Sequence, residues 1–114
     1  MVKKIHWGYF RNGWNSCKKA QEVLDAKNIS VEKIVFANKE KININEAWEM
    51  LNSASKIRTG KGKKFLEWNP KVDKKDEILK DVIGPSGNLR APTWRIGSEF
   101  IVGFNNELYE KVFG

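Results

Sequence analysis

Two hydrophobic periods alternate along the chain. Residues 3–10 place Ile5, Trp7 and Tyr9 at every second position and predict a first strand with one apolar face. Arg11-Asn12-Gly13 is a turn cluster. Beyond it Cys17, Ala20, Val23, Leu24 and Lys27 recur at helical spacing, so a first helix is predicted to about Lys27, with Asn15 or Ser16 able to cap it. Residues 31–36 are short and β-branched and predict a second strand. Strand, helix, strand over this length predicts a parallel pair with a right-handed crossover.

A second helix is predicted from Asn45-Glu46, with Ala47, Met50, Leu51 and Ala54 as its apolar stripe. A third is predicted from Asp73, burying Ile78, Leu79, Val82 and Ile83 and stopping at Gly84-Pro85. Gly97-Ser98 between Thr93-Trp94-Arg95-Ile96 and Phe100-Ile101-Val102 predicts a hairpin with glycine first in its turn. Asn105 can cap a last helix with Leu108, Tyr109, Val112 and Phe113 inward. The order is β-α-β-α-α-β-β-α. It predicts an α/β fold in which helices flank a mixed four-stranded sheet, with strand one central. Residues 1–114 read as one domain, without internal repeat or linker.

Composition narrows the function. A hydrophobic fraction of 40% supports a single core, and no apolar run follows the basic N-terminus. Neither a leader nor a membrane span is expected. A single cysteine excludes an internal disulfide framework and fits a reducing, cytoplasmic setting. A single histidine, His6, excludes a histidine triad or a multi-histidine metal site. With no zinc-ligand spacing, Walker motif or glycine-rich dinucleotide loop, no bound metal or cofactor is expected. The net charge of +7 comes from 17 Lys and four Arg against 14 acidic residues, and it attracts oxyanions, acidic partners and nucleic acid. Five basic residues stand between Lys56 and Lys64; this segment reads as a solvated loop, with a cradle for an oxyanion or an acidic partner as the alternative. Trp7, Trp48, Trp68 and Trp94 read as packing residues, so nucleic acid, which needs exposed aromatics beside clustered charge, ranks last.

The chemistry concentrates at Cys17. A thiol in the first turn of a helix meets unpaired N–H groups and the positive end of the dipole, which favour a thiolate, and Lys18 and Lys19 add charge. The same residue shares a face with Ala20 and Leu24, and periodicity favours an inert, buried thiol. Trp14, three residues earlier, is large enough to shield it.

The order of elements, the helix-start cysteine and Pro92 just before the hairpin resemble the thioredoxin fold. The segment Asn12-Gly13-Trp14-Asn15-Ser16-Cys17-Lys18-Lys19-Ala20 resembles the Cys-x-x-Cys-x-Lys-Ala segment of the arsenate-reductase-like family, which includes the Spx regulators. Leu89-Arg90-Ala91-Pro92-Thr93 and Val102-Gly103-Phe104-Asn105 resemble that family's Arg/Pro strand start and its Gly-Phe-Asn helix entry. The resemblance implies thiol- or selenol-based reduction of a disulfide or an oxyanion, with glutathione or thioredoxin as reductant. It sets Cys17 at the resolving position and Trp14 at that of the attacking cysteine. Tryptophan has no nucleophilic sulfur, so the chain as written lacks the attacking residue.

The resemblance also implies that Pro92 is a cis proline facing the site loop. Arg90 and Arg58 fall near family arginines, although Arg90 precedes Pro92 by two residues rather than one. Asn15 and Ser16 sit inside the site loop as candidate substrate contacts. Two readings of Trp14 stay open. It is a lost nucleophile in a domain kept for binding, or it stands where the natural protein has selenocysteine, whose codon UGA is one base from the tryptophan codon. An Spx-like, non-catalytic domain that binds an acidic protein is the alternative to a small thiol or oxyanion substrate, and a monomer is expected.

Overall fold

His6 breaks the first strand in two. The computed structural model describes residues 4–114, so Lys3, where the predicted strand begins, lies outside the described residues. Strand β1 (Lys4–Ile5) pairs in parallel with β3 (Ser30–Val31), and β2 (Trp7–Phe10) pairs in parallel with β4 (Ile34–Phe36). Across the break the Glu32 N–H donates to the Ile5 carbonyl and the Gly8 N–H to the Lys33 carbonyl, each at 2.8 Å. The register is unchanged across the break, Ile5 opposite Val31 and Gly8 opposite Ile34, so both strands kink together and no residue is inserted; the kink turns the side chains on its two sides to opposite faces. Ile5 therefore joins one core cluster, while Trp7 and Tyr9 pack on the other, their rings stacked at 6.0 Å. The single apolar face expected for Ile5, Trp7 and Tyr9 is corrected to two.

Four helices flank the sheet: α1 (Asn15–Ala26), α2 (Ile44–Leu51), α3 (Lys75–Val82) and α4 (Asn106–Phe113). Asn43 and Glu46 form a reciprocal capping box that starts α2, and Asn105 accepts from the Leu108 N–H to start α4. Ala54 is buried but lies past the end of α2.

The sheet is larger than the four strands expected. Strands β5 (Lys56–Lys61), β6 (Lys64–Trp68), β7 (Thr93–Ile96) and β8 (Glu99–Gly103) complete a six-stranded mixed sheet in the order β4-β2-β7-β8-β5-β6. Lys56 to Lys64 is thus no solvated loop but a hairpin, β5 running parallel to β8. Its alternation is masked by charge: Ile57 and Thr59 are buried, while Arg58 points to the other face and is paired with acids from β6 and β8. The remaining pairs are antiparallel, and Gly97 takes φ +60° in the β7–β8 turn, as expected of a glycine-first turn.

Two cores lie on opposite faces. One gathers Ile5, Ala20, Leu24, Trp94, Ile101, Leu108, Tyr109 and Phe113 under α1 and α4. The other gathers Tyr9, Cys17, Ala47, Leu51, Ile57, Ile78, Val82 and Val102 under α2 and α3. Trp94 is wholly buried with its polar atom satisfied: Nε1 donates to the Tyr109 hydroxyl at 2.9 Å, which donates to the Gly103 carbonyl at 2.8 Å. Gly8 makes room for that indole, since a Cβ there would lie 2.5 Å from the ring. Among the described residues no helix is long and apolar enough to cross a membrane.

Candidate functional site

The C-terminal ends of the parallel strands β2 and β4 open onto one cavity of about 360 Å³. Ligands in α/β sheets commonly sit at this end of the strands. Three loops wall it: residues 11–14, 37–41 and 86–91. Arg11 and Lys41 supply two cations, and Asn38, Ser86 and Asn88 supply neutral polar groups. No carboxylate lines it. Two cations without a counter-charge make a cavity suited to an anion.

Tyr9 fixes one wall. Its hydroxyl donates to the Glu40 carbonyl at 2.7 Å and accepts from the Ile42 N–H at 3.2 Å, holding the segment that carries Lys41 against β2. Burial pushes the Tyr9 hydroxyl above its ordinary pKa, so it stays protonated and able to donate. The Leu89 N–H donates to the Ile42 carbonyl at 2.8 Å, and Asn43 bridges Asn88, so the other two walls are tied together.

Trp14, not Asn15 or Ser16, is the residue that precedes α1, and the helix has no side-chain cap. Asn15 and Ser16 are exposed in the first turn and line no part of the cavity. Their expected capping role is corrected: the turn through Gly13, at φ +87°, starts the helix one residue earlier than a capping Asn15 would. Trp14 lines the cavity and is 41% exposed, with the Arg11 guanidinium 4.4 Å from its ring centroid.

Cys17 is wholly buried, and its Sγ accepts the Arg11 backbone N–H at 3.4 Å. Burial pushes the thiol above its ordinary pKa; the Arg11 N–H and the Arg11 charge oppose this and lose. Lys18 and Lys19 are exposed to solvent. The helix start therefore leaves a neutral thiol rather than a thiolate.

The proline segment comes to the same place. The Ala91–Pro92 peptide is cis, and Ala91 lines the cavity with Arg11 and Trp14. Arg90 does not line it. Its guanidinium donates to the Asp81 carbonyl at 3.1 Å and to the Gly60 carbonyl at 2.8 Å, joining α3 to β5. Gly103, at φ +83°, lets this happen: a Cβ there would lie 2.3 Å from the Gly60 oxygen and 2.7 Å from the guanidinium. Arg58 sits on β5, separated from β2 by β7 and β8, and its side chain is spent on Glu67 and Glu99. The structure thus sets Trp14 and Ala91 in the cavity wall, ties the buried Cys17 to that wall through the Arg11 N–H, and leaves Pro92, Arg58, Arg90, Asn15 and Ser16 out of the lining. Arg11, Asn38, Lys41 and Asn88 are not singled out by the sequence; for the first three the available signal is their place just after the parallel strands β2 and β4, whereas Asn88 lies between α3 and β7 and has none.

No family model matches the chain, and no curated protein matches it.

Proposed function

We propose that the chain is a thioredoxin-like domain of the arsenate-reductase-like kind, of thiol or selenol redox ancestry. Its cavity binds a small oxyanion or an anionic thiol such as glutathione, and Cys17 does not turn it over. The observation that carries this reading is the pairing of Arg11 and Lys41 in a carboxylate-free cavity with Trp14 at its wall and Cys17 buried. By the resemblance an attacking residue belongs where Trp14 stands, and indole has no thiol or selenol to form the covalent intermediate. Titration of the full chain with arsenate, followed by calorimetry, tests the binding claim. Saturable binding weakened about tenfold or more by Arg11→Gln with Lys41→Gln supports it, since charge-assisted hydrogen bonds are the strong ones. Arsenate binding that ignores both substitutions would sink it.

A second reading is favoured by the 41% exposure of Trp14. Selenocysteine at position 14 would stand accessible beside Arg11, with Cys17 three residues on to resolve it and glutathione or thioredoxin to reduce the pair. The codon for residue 14 decides: UGA supports the selenoenzyme and UGG the binding domain.

A further inference from the structure

Strand β6 is an edge of the six-stranded sheet, and its five residues, Lys64–Trp68, carry backbone groups that no described strand pairs on the outer side. Nature blunts such edges or uses them. This one has the makings of use. Leu66, at its centre, is 52% exposed. Beside it runs a groove of about 450 Å³ between β6 and α3, walled by Leu66, Trp68, Lys61 and Lys80 together with Glu77 and Asp81. Lys64 and Lys61 also line the adjoining hollow of about 190 Å³.

The charges around this edge are unbalanced. Lys61, Lys64 and Lys80 form no ion pair among the described residues. Of the acids nearby, Glu67 is paired with Arg58 and Lys111, and Asp81 accepts from Thr59 and from the Trp68 Nε1–H; Asp81 and the exposed Glu77 are the two carboxylates that line the groove, so three lysines face two carboxylates. A second copy of the chain would bring the same lysines and a net charge of +7 to the same edge, so self-pairing is opposed.

We propose that the outer edge of β6 docks an extended acidic segment of a partner protein as an added strand. Backbone hydrogen bonds supply the register. An apolar residue of the segment covers Leu66, and its acidic residues meet Lys61, Lys64 and Lys80. The proposal is independent of the anion cavity, from which β6 is separated by β7, β8 and β5.

The test uses the isotope-labelled full chain and two capped hexapeptides, one alternating Glu and Val, the other alternating Lys and Val. The proposal expects the acidic peptide to shift the amide resonances of Lys64–Trp68 and to slow their hydrogen exchange. It expects the triple variant Lys61→Glu, Lys64→Glu, Lys80→Glu to weaken that binding about tenfold or more. These are surface positions, and a circular dichroism spectrum confirms the fold of the variant. Leu66→Lys, a second exposed change, is expected to weaken binding without altering the fold. Equal response to the basic peptide, shifts confined to other elements, or no response at millimolar peptide would overturn the proposal. So would protection of the β6 amides that rises with protein concentration alone, which would make a second copy the occupant.

Discussion

The backbone N–H of Arg11 points at Cys17 Sγ from 3.4 Å, while the guanidinium of Arg11 lies over the ring of Trp14. One residue thus links the buried thiol to the exposed indole at the cavity. The link is made by backbone on one side and side chain on the other, so the two can be separated by mutation.

Labelling of Cys17 follows from its burial. Iodoacetamide at neutral pH is expected to modify folded Cys17 at least about a hundredfold more slowly than the denatured chain, because reaction needs local or global opening. The folded thiol's pKa is raised by burial, so the neutral thiol's contribution to stability is complete below the unfolded cysteine value, about 8.5, and is lost as pH rises through the folded one. Equal labelling rates for the folded and denatured chains would contradict the burial.

Trp14→Cys is expected to create a disulfide with Cys17. Trp14 is the extended residue before α1 and Cys17 lies in its first turn, so the backbone at the cap has to bring the two Cβ atoms within about 4.5 Å, and the turn at Gly13 beside it gives the loop that freedom. Mild oxidation followed by mass spectrometry should find two hydrogens lost and no free thiol. Persistence of both thiols would show that position 14 is not aligned with the attacking position.

The helices and the β7–β8 hairpin were legible because their signals are local. Asn105 caps α4 as its side chain requires, and Gly97 turns the hairpin. The β5–β6 hairpin was hidden because its strand-forming residues, Ile57 and Thr59, are interleaved with Lys56, Arg58 and Lys61, and the one of these that is neutralised, Arg58, finds Glu67 and Glu99 only once β5 lies between β6 and β8. At the site, Cys17 and Pro92 were legible as unusual residues. Lys41 and Asn88 were not, because nothing local says that their loops meet; that depends on the parallel pairing of β2 with β4 and on the clasp of Tyr9.

Arg90 holds structure together. Arg90→Ala leaves the Asp81 and Gly60 carbonyls without their donors and should cost about 2–4 kcal/mol. Chemical denaturation measures it. Arsenate affinity in the folded variant is expected to stay within about twofold of the wild type, a difference of about 0.4 kcal/mol. A selective loss of anion binding with unchanged stability would return Arg90 to the site.

Acid should weaken the β5–β6 edge. Its hydrogen bond to Arg58 holds Glu67 below the ordinary carboxylate range. A lowered folded pKa gives stability that is present above the unfolded value, about 4.3, and is lost as pH falls through the folded one. Glu67→Gln should therefore flatten part of the decline in thermal midpoint below about pH 5, at a neutral-pH cost of about 1 kcal/mol or less, as befits a partly exposed pair. An unchanged acid slope would show that the pair contributes nothing.

The claim that Cys17 carries no chemistry is tested most directly by turnover of a glutathione mixed disulfide with reduced glutathione in excess. The full chain and its Cys17→Ser variant are both expected to proceed at the uncatalysed rate. Turnover above that rate by the wild-type chain, abolished by Cys17→Ser, would contradict it.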